Sequence, residues 1–107
     1  MLQLVDGYIS YIRDVRRYSD RTVCLYSDVL RKYVERVSKG STIFDDDALV
    51  ESLNVSEIRS YEVYLMEVCN MVPRTVNLHL SALSGFCFYL VKEGWMSSNP
   101  VKLVPKP

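Results

Sequence analysis

The 107-residue sequence contains no apolar run long enough to cross a bilayer. Its longest, Phe86 to Val91, falls far below the ~20 residues a spanning helix needs. The opening MLQLVDG lacks the basic and apolar regions of a secretory signal. A cytoplasmic protein with no membrane partner is expected. Cysteine is scarce: Cys24, Cys69 and Cys87 are odd in number, have no C-x-x-C spacing and fall inside apolar helical patterns. Buried, reduced thiols are expected rather than a disulfide framework. The single histidine, His79, has no second histidine or cysteine beside it, so no metal is expected and a structural role is. Also missing are H-E-x-x-H, G-x-S-x-G and a phosphate-binding glycine loop; no catalytic or cofactor-binding residues are expected.

An excess of charge is missing as well, since 13 basic side chains balance 13 acidic ones. Net neutrality taken alone argues against a nucleic-acid partner. The distribution argues differently. Residues 1–44 carry a net +3, residues 45–71 a net −6, and residues 72–107 a net +3.

What is present is helical periodicity in a chain sized for one domain. Leu4, Tyr8, Tyr11, Ile12 and Val15 predict a helix over residues 3–17, closed by Arg13, Arg16 and Arg17 at its negative end. Ser19 is positioned to cap a second helix carrying Val23, Tyr26, Leu30, Tyr33, Val34 and Val37 in an arc of about 100°, and Gly40 stops it. A connector follows, with one short helical turn near Ala48 to Leu53. Its three adjacent carboxylates, Asp45 to Asp47, read as a helix cap in water, because a hard-cation site needs about six converging oxygens. Ser56 and Glu57 open a third helix through Leu65 to about Asn70, and Pro73 opens a fourth that runs to Glu93 before Gly94. The tail NPVKLVPKP has three prolines in eight residues after Asn99. It reads as an extended linker over residues 98–107, leaving 1–97 as the helical domain.

On the fourth helix Val76, Leu80, Leu83, Phe86, Cys87, Leu90 and Val91 span about 140° and form the core face. The opposite side carries Arg74, Asn77, Ser81, Ser84 and Gly85 instead of the Glu and Lys a merely solvated helix would show. Small residues permit close approach of a partner, and Arg74 and Thr75 add donors at the positive helix end. Leu78 and Ala82 flank the stripe as apolar contacts of the kind that meet a thymine methyl. A second helix packing on this stripe is an equally good reading of the faces alone. Phe88 points outward, and cover by the tail through Leu103 or Val104 is the expectation.

Four stretches together, SDRTVCLYSDVLRKYVERV, VSEIRSYEVYLMEV, VPRTVNLHLSALSGFCFYLVKEGW and SSNPVKLV, resemble the N-terminal core-binding domain of tyrosine recombinases, the phage-integrase and Xer-like family. The resemblance rests on Ser19-x-x-Thr22-x-x-x-Tyr26, on Arg74-Thr75-Val76-Asn77 followed by Leu80-Ser81-Ala82-Leu83, and on Gly94 to Asn99-Pro100, in family order and spacing. It implies an all-α, SAM-like compact bundle of four main helices that holds duplex DNA with its second and fourth helices. Carried over by position, the DNA-binding residues it implies are Arg21, Thr22 and Leu25 on helix two, and Arg74, Thr75, Leu78 and Ala82 on helix four. Asn77 and Ser81 adjoin these, and Lys32 lies on the outer face of helix two.

The implied partners are double-stranded DNA, a C-terminal catalytic domain of the same protein and other recombinase protomers on DNA. The implied cleavage chemistry belongs to that catalytic domain, and no tyrosine here matches its nucleophile, so these residues are expected to be non-catalytic. Two departures weaken the expected phosphate attraction: Ser84-Gly85 stands where many members have a basic residue, and Leu78 where a polar base-reading side chain occurs. With these departures, shape readout and apolar contact gain importance.

Overall fold

A computed structural model describes residues 2–107. Five α-helices follow one another: α1 (Gln3–Ser10), α2 (Asp20–Ser38), α3 (Asp46–Ser52), α4 (Val55–Glu67) and α5 (Pro73–Lys92). A π-helical turn, Tyr11–Val15, continues α1, and a 3₁₀ turn, Pro100–Leu103, follows α5. The described residues contain no strand, and the all-α bundle read from the periodicity stands.

The first predicted helix is divided. After Ser10 the hydrogen bonding widens, with the Arg16 amide donating to the Tyr11 carbonyl at 3.0 Å and the Tyr18 amide to Ile12 at 2.9 Å. Arg17 then takes a left-handed backbone (φ 58°). Tyr8 and Ile12 keep their buried places, while the chain turns so that Tyr18 meets the edge of Tyr26, 6.0 Å between centroids. Such a widening is a known way to accommodate one residue more than an α-helix holds.

The caps follow simple donor counting. Ser19 Oγ accepts from the Thr22 amide at 3.2 Å, and α2 ends where Lys39 and Gly40 adopt positive φ. Asp45 accepts from the Ala48 amide at 2.9 Å, and Asp46 accepts from the Leu4 amide at 3.3 Å, tying α3 to the start of α1. For α4 the capping residue is Asn54, whose Oδ1 accepts from the Glu57 amide at 2.9 Å. Ser56, expected in that role, already lies in the first helical turn; the extended backbone a cap requires occurs at Asn54.

At the centre of the bundle stands α5, touched by α1, α2, α4 and the 3₁₀ turn. Its Val76, Leu83, Phe86, Cys87 and Leu90 share the core with Tyr8, Ile12, Leu30, Tyr33, Ile58, Tyr61 and Leu65. Of the cysteines only Cys87 is buried; Cys69 is half-buried and Cys24 exposed, because Cys24 faces away from the arc of α2 that carries Val23 and Leu30.

The tail departs most from expectation. Asn99 Nδ2 donates to the Ser84 carbonyl at 3.1 Å and to Ser84 Oγ at 3.0 Å, while its Oδ1 accepts from the Val101 amide at 3.0 Å. Val101 and Val104, three residues apart, then fall on one side of the tight turn and enter the core. At the end of the tail Pro105 to Pro107 are exposed and irregular. The tail therefore runs along the Leu80–Ser84 flank of α5 and leaves Phe88 uncovered at 58% exposure, with Leu103 exposed as well.

Candidate nucleic-acid interface

Two touching helices, α2 and α5, present the polar positions singled out by the sequence. At about 100° per residue, Arg21, Leu25, Lys32 and Arg36 fall within roughly 60° of one another on the outer side of α2. On α5 the outer ridge carries Arg74 and Ser81, with Asn77 at one edge and Leu78 at the other. Lys32 sits close enough to His79 for its charge to help depress the imidazole pKa, an effect led by burial of the ring. His79 is buried, and its Nδ1 lies 3.2 Å from the Tyr61 hydroxyl. This hydrogen bond between Tyr61 and His79 ties α4 to the turn of α5 that carries Thr75 and Leu78.

Arg21 and Arg74 are exposed and Lys32 half-exposed. Among the described residues no carboxylate lies within salt-bridge distance of any of the three, whereas Arg13, Arg31 and Lys92 are paired with Asp14, Asp28 and Glu93. Leu25, between Arg21 and Lys32, is 38% exposed. The Thr22 hydroxyl accepts from Ser19 Oγ at 3.0 Å and so doubles the cap of α2. Arg36 was not among the expected contacts, yet its guanidinium lies 4.2 Å over the Tyr64 ring, with Lys32 5.8 Å from the same ring. The i,i+4 spacing of Lys32 and Arg36 was the available signal.

Ser81 lies toward the tail. Asn77 is half-buried, with its Oδ1 enclosed and without a partner, and Ser81 borders a cavity shared with Lys102 and Lys106. Ala82 is a correction. It is 0% exposed, so it touches no partner. The buried arc of α5 runs from Ala82 to Leu80, about 160° rather than 140°, because α1 and α2 close over the side that a single packing face would leave open. One turn beyond Ala82, Phe86 meets Tyr8 of α1 at 5.4 Å between ring centroids.

The stripe of small residues also finds its partners inside the chain. Ser84 binds Asn99, and Gly85 faces the Tyr8 hydroxyl, which would stand 2.6 Å from any Cβ placed there. Charge is absent from these turns because the tail and α1 lie against them. Exposed acidic side chains sit on α2 itself, at Asp20, Asp28 and Glu35, and on α3 and α4, at Asp47, Glu51, Glu57 and Glu67. Glu62 of α4 is buried with Oε2 unpartnered; burial pushes its carboxyl pKa up, against a smaller opposing pull from Arg59. No helix among the described residues is long and apolar enough to cross a membrane.

Comparison with known proteins bears out the resemblance. The chain is 24% identical over 104 residues to the tyrosine recombinase XerC of Chlorobaculum parvum, covering 96% of this chain and 31% of that protein. It is 25% identical over 114 residues to a tyrosine recombinase of Thermosipho africanus, covering 100% and 36% respectively. With the tyrosine recombinase XerC of Bacillus pumilus the identity is 26% over 110 residues, covering 98% and 32%. The chain spans about a third of the length of the curated relatives it matches. No protein-family model and no solved structure matches it.

Proposed function

We propose that the chain is the core-binding domain of a site-specific tyrosine recombinase and grips one face of duplex DNA at a recombination half-site. The observation that carries this reading is the set of uncommitted cations Arg21, Lys32 and Arg74 on the outer sides of two touching helices, in a chain similar over its length to tyrosine recombinases. Arg21 and Arg74 stand beside helix N-termini, where backbone amides already favour phosphate. Thr22, Leu25, Thr75 and Leu78 supply a hydroxyl-and-apolar surface between them, suited to the sugar–phosphate wall and to thymine methyls. Asn77 and Ser81 lie at the edge of this footprint.

With about four phosphates neutralised, the binding constant falls by roughly the 3.6 power of salt concentration. The acidic α3 and α4 would face away from the duplex. Cutting and rejoining of strands is left to a further, catalytic domain, reached through the residues after Val104, and other protomers assemble around the same DNA. The rival reading, a helical module docking a partner helix on the small residues of α5, loses its main support because Asn99 and Tyr8 occupy Ser84 and Gly85.

Titration of a fluorescent half-site duplex at low salt tests the proposal. Arg21→Glu with Arg74→Glu should abolish binding. A double variant that binds as the parent does sinks it.

A further inference from the structure

Between the π-helical turn, the C-terminal half of α5 and the start of the tail lies a groove of about 220 Å³, separate from the outer face of α2. Its lining is rich in donors and contains no carboxylate. Arg16, Lys92 and Lys102 supply three cations, and Tyr8, Tyr11, Tyr18 and Tyr89 four phenols, while the Asn99 amide at the edge is already given to Ser84. The π-helical turn matters here, because the Arg16 amide closes back on the Tyr11 carbonyl and brings guanidinium and phenol to the same wall. Two of the cations rest against rings, Arg16 5.7 Å from the Tyr18 centroid and Lys92 5.1 Å from that of Tyr11. Cation–π contacts of this kind fix a flexible side chain without neutralising it; Lys92 is also paired with Glu93 at 3.3 Å, which leaves Arg16 and Lys102 as the cations without a carboxylate partner among the described residues.

A second observation is independent of the surface charge. Tyr8 is 2% exposed and packed between Phe86 and Tyr89, yet its hydroxyl, reaching past Gly85 into the groove, has no hydrogen-bond partner among the described residues. The ring is buried, but the hydroxyl opens into the groove, where an incoming acceptor can reach it. Burial raises its pKa, so it remains a donor throughout the physiological range.

We propose that this groove is a phosphate-binding site, with the Tyr8 hydroxyl at its floor and Arg16, Lys92 and Lys102 at its rim. Carboxyl-bearing surfaces are poorer candidates, since the space suits a compact tetrahedral anion that takes donors from several directions. The groove continues the outer ridge of α5 past Phe88 and adjoins the start of α2, so the phosphate is one of the duplex backbone beyond the Arg21–Arg74 footprint. That last assignment rests on the function proposed above; the anion site itself does not.

Tyrosine-ring NMR of the intact chain tests the site, with inorganic phosphate titrated at fixed ionic strength against chloride. Signals of Tyr8, Tyr11 and Tyr18 should shift saturably with phosphate only. Arg16→Gln should remove saturation, and Tyr8→Phe, which keeps the ring packing, should weaken binding roughly tenfold, the worth of one hydrogen bond to an anion. Equal shifts in chloride, or no saturation, overturn the proposal. In a duplex titration, Arg16→Gln with Lys102→Gln should lower the log–log salt slope by about 0.9, the share of one phosphate, which assigns the phosphate to the backbone. An unchanged slope with phosphate saturation retained upholds the site and assigns it to free phosphate. Should the parent chain bind no duplex, the function proposed above fails and the phosphate titration alone decides this one.

Discussion

Gly85 in the middle of α5 should be the position where helix propensity gives the wrong answer. Alanine is favoured over glycine in a helix interior by about 1 kcal/mol. Here, however, the new Cβ would stand 2.6 Å from the Tyr8 hydroxyl oxygen, and Tyr8 cannot swing aside because Phe86 and Tyr89 flank its ring at 5.4 Å between centroids. Overpacking of this kind costs about 1–3 kcal/mol, so Gly85→Ala should destabilise the domain by about 1 kcal/mol net. Removing the hydroxyl reverses the sign. With Tyr8→Phe the nearest remaining ring atom is Cζ at 3.7 Å, an ordinary contact, and Gly85→Ala should then stabilise by about 1 kcal/mol. The two substitutions are thus coupled by about 2 kcal/mol, within the range for residues in contact. Urea unfolding of the four proteins of this cycle measures it. If Gly85→Ala stabilises equally in both backgrounds, α1 does not lie against this stripe, and the reason given for its missing charge fails.

The docked tail and the buried histidine give two further expectations. Asn99→Ala removes both bonds to Ser84 and the cap of the 3₁₀ turn, and should cost about 1–2 kcal/mol in urea unfolding; an unchanged midpoint means that the tail is undocked in solution. For His79 the folded pKa is depressed below 6.5, by burial first and by Lys32 second, so the unfolded chain takes up the proton first as pH falls. Stability should therefore be flat above about pH 7 and drop as pH falls through 6.5. Glu62 titrates with the opposite sign, since its raised carboxyl pKa makes stability fall as pH rises. Comparison with His79→Gln cancels that background, and a pH profile identical in the two proteins refutes the assignment to His79.

Much of this architecture was legible because it depends on local rules. Ser19 before Val23, Pro73 opening α5 and Gly40 and Gly94 closing helices each follow from satisfying or terminating a helix end. The α5 core residues from Val76 to Leu90 follow from a 3.6-residue period. What could not be read locally are contacts between distant segments. Val101 and Val104 gave no periodic pattern, since two residues on one tight turn are too few to form one, and so a docked tail resembled a linker. Ala82 looked exposed because a single helix viewed alone has one packing face, whereas α5 has neighbours on several sides. The same ignorance of neighbours made Ser84 and Gly85 look like a surface awaiting a partner. For the candidate interface, the sequence located Arg21, Lys32 and Arg74 on outer faces; that no carboxylate pairs with them required the structure.

The central claim is that duplex DNA meets α2 and α5 and not α3 or α4. Amide-resolved NMR of the ¹⁵N-labelled chain, titrated at low salt with a half-site duplex, tests it most directly. The account predicts perturbation of Arg21 to Leu25, of Lys32 and of Arg74 to Leu78, with Glu57 to Val68 unmoved. Perturbation centred on Val63 to Val68, or none at saturating duplex, would contradict it.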